Sequence, residues 1–89
     1  MINKYRKKIN RIDSEIIRLL GERKTVCLKI GEHKKDNGDN IFDKQREEEI
    51  SMKLKQRAEI EGLDEKYIKK VFEVIIGDSK RIQAELKNG

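Results

Sequence analysis

Apolar residues recur every three or four positions through the first third of the chain, and no proline interrupts them. Ile2, Tyr5, Ile9, Ile12, Ile16, Leu19, Val26 and Ile30 form a heptad-like series, which predicts a single helix over about 3–35. The segment Asp36-Asn37-Gly38-Asp39-Asn40 then supplies turn residues. Asp43 reads as an N-cap, followed by Glu47, Glu48 and Glu49, where a helix dipole favours acids. With Ile50, Leu54 and Ala58 one turn apart, a second helix is expected over about 43–61. Asp64 should cap a third over about 64–87, striped by Ile68, Val71, Phe72, Ile75, Ile76, Ile82 and Leu86.

The expected architecture is therefore all-α, three helices in one domain over 1–89. At ~1.5 Å per residue the first helix is about 50 Å long, the others about 27 and 36 Å. Neither short helix covers the long seam alone. A second copy laying its own long helix alongside does so most simply, giving an intertwined homodimeric bundle.

Charged residues make up 44% of the chain and aromatics 4%, so any core is thin and aliphatic. The net charge of +5 favours anionic partners, among which nucleic acid, acidic protein and small carboxylates all qualify. No stretch approaches the ~20 apolar residues of a membrane span, and the N-terminus lacks a signal peptide's apolar run. Cys27 is the single cysteine, which points to a reducing compartment, the cytoplasm by default. One cysteine and the single His33 do not make a metal site.

The seams do not stay apolar. After Leu19 the first series places Arg23 at its next position, a costly residue in a buried seam unless an anion meets it. Lys34 lies within ~20° of the same face, about 16 Å further on, with Cys27 and Ile30 between them. Two cations at the ends of a short floor suit a small anion better than a polymer. Arg6, about 100° around the helix and some 25 Å away, cannot serve that pocket from the same chain. Stepping back from Ile50 gives Glu47, Arg46 and Asp43, and on the third helix Ser79 and Gln83 share a face with Phe72 and Ile76. Each residue also has an ordinary structural reading. Arg23 can snorkel to solvent, Lys34 suits a helix C-terminus, Asp43 is an N-cap, and Ser79 and Gln83 end a stripe at the surface.

The ordered series Arg6, Asp13, Leu19-Leu20, Glu22-Arg23, Gly31, Lys34, Asp43-x-x-Arg46-Glu47, Gly62-Leu63-Asp64 and Ile75-Ile76-x-Asp78-Ser79-x-x-x-Gln83 resembles the small all-α chorismate mutases. The likeness runs from about Asn3 to Leu86. It implies an intertwined three-helix dimer with shared sites and no cofactor, converting chorismate to prephenate on the shikimate-pathway route to phenylalanine and tyrosine. By the resemblance, Arg23 binds one substrate carboxylate and Arg6 of the partner subunit the other. Lys34 and Gln83 donate to the ether oxygen of the breaking bond. Glu47 and the backbone around Asp43 hold the ring hydroxyl, while Ser79 and Arg46 support the carboxylate end. Gly21 and Gly77 depart from the pattern, standing where better helix formers are expected.

Two other readings compete. An isochorismate pyruvate-lyase of the same fold handles a similar dianion, but the intact Asp43-x-x-Arg46-Glu47 run favours the mutase. A non-catalytic basic helical module could bind nucleic acid through Lys7, Lys8 and Arg11; acids are interspersed throughout, however, and no aromatic stacking surface accompanies them. No effector domain is expected within 89 residues, so feedback by aromatic amino acids would come through another shikimate-pathway enzyme docking on this one.

Overall fold

The computed structural model describes residues 1–37 and 44–88, with side chains placed for 1–33 and 44–86. All regular structure among the described residues is helical, with α1 at Ile2–Asn37, α2 at Lys44–Ile60 and α3 at Glu65–Asn88. Helix α1 runs past the expected end at Lys35 to take in Asp36 and Asn37, turn-favouring residues that a last helical turn still accommodates. The expected Asp43 cap lies outside the described residues.

Local chemistry accounts for the α2–α3 junction. Gly62 adopts a φ of 68°, a left-handed conformation that glycine takes without a Cβ clash. It sends the Leu63 N–H to the Ala58 carbonyl at 2.9 Å and its own N–H to the Glu59 carbonyl at 3.2 Å. Two of the orphan carbonyls at the end of α2 are thereby satisfied in a Schellman arrangement. Asp64 then caps α3, its Oδ1 accepting from the Lys66 N–H at 3.1 Å. Glu47 in the first turn of α2 and Arg57 in its last both suit the helix dipole.

Helix α3 is the middle element: α1 packs on it and α2 packs on it, but the described parts of α1 and α2 do not pack on each other. Contacts advance together from Arg23 with Ser79 to Gly31 with Leu86, so α1 and α3 run parallel there. Helix α2 returns antiparallel, with Glu47 beside Lys80 at the end remote from the Gly62 turn. The envelope measures 55 × 25 × 15 Å, and its thin dimension barely exceeds the ~10–12 Å width of one helix. Correspondingly few of the described side chains are buried: Cys27, Ala58 and Ile82 among apolar ones, and Gln83 among polar ones. The first half of the α1 seam, from Ile2 through Tyr5, Ile9, Ile12 and Ile16 to Leu19, is between 50% and 64% exposed.

Candidate active site

The residues singled out from the seams fall into two groups joined by α3. In the first, half-buried Arg23 reaches across from α1, its Nη1 donating to Ser79 Oγ and, at 3.6 Å, to Cys27 Sγ. The Ser79 hydroxyl gives its proton to the Ile75 carbonyl at 3.1 Å, which leaves its lone pairs to accept from Arg23. The Cys27 thiol lies 3.5 Å from the same oxygen. A guanidinium has five N–H donors, so Arg23 held this way retains donors for a bidentate carboxylate.

One turn further along α3, Gln83 is only 8% exposed and its Nε2 donates to the Cys27 carbonyl at 3.2 Å. A carbonyl can only accept, so this contact fixes which end of the amide faces α1. The second N–H of that group remains for a ligand. The approach depends on Gly31. A Cβ there would stand 3.0 Å from Leu86 Cδ1 and 3.2 Å from Gln83 Cγ, inside ordinary van der Waals contact. Of the floor expected between Arg23 and Lys34, Cys27 is buried, whereas Ile30 is 43% exposed.

The second group lies between α2 and α3. A groove of about 290 Å³ has Ile50, Leu54, Phe72 and Ile76 on its walls, with Glu47 and Lys80 at one end. Half-buried Glu47 presents Oε1, out of reach of solvent, to the Lys80 ammonium. Arg46, on the same turn of α2, is 57% exposed and lies 3.8 Å from Glu49.

Not every expected site residue joins these groups. Arg6 lies exposed in the first turns of α1, far from Arg23 along the helix. Lys34 belongs to α1, its side chain outside the described residues, as is Asp43 entirely. Lys80 went unnoticed in the sequence although a signal existed: it stands four residues after Ile76 and eight after Phe72, and so continues their stripe. The closeness permitted by Gly31 had no such signal. Away from the groove, Glu15 is held below the usual carboxylate range chiefly by a hydrogen bond from Arg18, whose guanidinium is raised in return. Among the described residues no cluster of three or more His, Cys, Asp or Glu could hold a metal ion. None of the described helices is long and apolar enough to cross a membrane.

The fold and these two groups define an all-α protein with cationic and amide donors gathered where helices meet. Sequence comparisons give the particular family: residues 5–84 match the chorismate mutase type II model, and the chain belongs to that family. It is 37% identical over 82 residues to a bifunctional chorismate mutase/prephenate dehydratase of Buchnera aphidicola, covering 92% of this chain and 21% of that one. A chorismate mutase of Methanocaldococcus jannaschii is 31% identical over 80 residues, covering 90% of this chain and 81% of its own. The bifunctional enzyme of Escherichia coli is 31% identical over 81 residues, 91% of this chain and 21% of the relative. The chain thus spans about a fifth of the bifunctional relatives it matches.

Proposed function

We propose that the chain is a chorismate mutase, rearranging chorismate to prephenate in phenylalanine and tyrosine biosynthesis. The observation that carries this reading, beside the family match, is Arg23, Ser79 and Gln83 meeting across α1 and α3. Chorismate is a compact dianion with a ring hydroxyl, and an arginine with spare donors beside a buried amide suits it. Arg23, supported by Ser79 and Arg46, takes one carboxylate. Glu47 and the backbone at Asp43 take the hydroxyl.

The reaction is a concerted intramolecular Claisen rearrangement, so no nucleophile or base is needed. The protein selects the conformer with the enolpyruvyl chain folded over the ring by gripping both carboxylates and the hydroxyl. It also stabilises negative charge growing on the ether oxygen as the C–O bond opens, the role of Lys34 and the second N–H of Gln83. Each ~1.4 kcal/mol of such differential stabilisation is worth tenfold in rate.

The second carboxylate needs a cation that the described part of one chain does not bring to Arg23. A homodimer supplies it as Arg6 of the partner subunit. The same pairing would cover the exposed first half of the α1 seam, which one chain leaves half bare. The expected setting is the cytoplasm, with docking by another pathway enzyme as the route to feedback.

Loss of chorismate absorbance with purified protein, confirmed by acid conversion of product to phenylpyruvate, tests the activity. Prephenate forming at an enzymatic rate is the expected result. Inertness towards chorismate, with salicylate and pyruvate appearing from isochorismate, would replace it with the lyase reading.

A further inference from the structure

The ion pairs Arg18–Glu15 and Arg81–Asp78 each lie within one helix, and Arg57–Glu61 joins the last turn of α2 to the residue after it, all local and exposed. Lys80–Glu47 is different in kind: it crosses from α3 to α2, and its side chains retain 43% and 33% of their exposure. The pair sits at the end of the groove walled by Ile50, Leu54, Phe72 and Ile76. Apolar walls raise the cost of an uncompensated charge, so each partner there depends on the other. Glu47 Oε1 is sealed from water on the Lys80 side, which leaves Oε2 as the oxygen able to accept from a ligand.

We propose that Lys80 is a positioning residue for Glu47: its ammonium fixes one carboxylate oxygen so that the other is aimed at the substrate's ring hydroxyl. This rests on the chorismate mutase reading and adds a residue to it. A carboxylate tethered at Oε1 loses little rotamer freedom when the hydroxyl binds, so the tether contributes to ground-state and transition-state binding alike. The effect then falls on KM rather than on kcat. Lys80 also tunes selectivity, since a carboxylate spent on a hydroxyl gives nothing to a substrate lacking one.

The test is steady-state kinetics with chorismate for wild type, Lys80→Met, Lys80→Gln, Lys80→Arg, Glu47→Gln and the Lys80→Met/Glu47→Gln double variant. Lys80→Met and Lys80→Gln should raise KM about tenfold, the scale of a charged hydrogen bond, with kcat within about twofold of wild type. Lys80→Arg keeps the tether and should restore most of the KM. On the Glu47→Gln background Lys80→Met should add little, because the group it positions is already altered. Substrate draws a reversibly unfolded fraction back to the folded state and so raises apparent KM, and circular-dichroism melts of each variant therefore accompany the kinetics. A KM rise in Lys80→Met that tracks loss of fold, and that Lys80→Arg does not restore, would overturn the role of Lys80. An unchanged KM in Lys80→Met, or additive losses in the double variant, would overturn the role of Lys80 alone. No turnover by the wild type would overturn the activity and this inference together.

Discussion

The two halves of α1 share one apolar spacing and meet different surroundings. From Arg23 to Gly31 the helix lies against α3, with Cys27 buried and Gly31 so close that a Cβ there would press on Leu86 and Gln83. From Ile2 to Leu19 the same periodicity faces outward, every seam residue at least half exposed. A repeat of three and four says that a helix has a face to bury; it does not say what buries it. The later half finds a partner within the chain for Cys27 and Gly31, while its own seam residues Val26 and Ile30 stay 50% and 43% exposed. The bare row that runs on from Ile2 is a surface that monomers seldom leave open. That contrast is the strongest physical reason to expect a second copy.

The most severe way to break the contrast is Ile12→Asp. If another chain covers the seam, an unpaired carboxylate is trapped there at a cost above about 3 kcal/mol. Sedimentation or light scattering should then show loss of the dimer, with activity lost alongside; an unaltered mass and rate would mean that solvent faces the seam. Next come the two cations at the ends of α1. Lys34→Ala should lower kcat about 10²–10³-fold, the scale of removing one transition-state donor, while Arg6→Ala should act mainly through KM. Kinetics showing equal KM effects and intact kcat in both variants would sink that division of labour.

The packed half is probed by Gly31→Ala. The new methyl meets Leu86 Cδ1 and Gln83 Cγ at 3.0 and 3.2 Å, so overpacking of about 1–3 kcal/mol outweighs the ~1 kcal/mol gained in helix propensity. Denaturant melts should show net loss and kinetics a fall in kcat as Gln83 shifts; a more stable enzyme would show that α3 yields at no cost. Gly21→Ala should do the reverse. A Cβ at Gly21 meets nothing within 4 Å, and two residues from Arg23 it points to the opposite side of the helix, so about 0.5–1 kcal/mol of stabilisation is expected. Melting curves that show destabilisation would place a neighbour on that outer face.

The smallest effect belongs to the Arg18–Glu15 pair on the exposed side of α1. Because the Glu15 carboxyl is lowered in the folded chain, its contribution is present above the ordinary carboxylate range and fades as pH falls through the lowered value. Solvent screens so exposed a pair. Arg18→Ala should therefore leave kcat, KM and the melting temperature near neutral pH unchanged within error, and a clear shift would assign Arg18 a role that its surroundings do not suggest.

Three helices, the Gly62–Asp64 junction and the faces carrying Arg23, Ser79 and Gln83 were legible from residue order. Helical periodicity, a φ above zero at glycine and an N-cap are local properties, set within a few neighbours along the chain. The family, too, could be read from the order of its polar positions. What residue order leaves open is which faces meet. Only the packing made α3 the middle element, set α1 parallel to it, brought Gln83 onto the Cys27 carbonyl through the gap at Gly31, and set Lys80 against Glu47. These contacts join residues tens of positions apart, and their energy depends on distances and burial that no local pattern encodes.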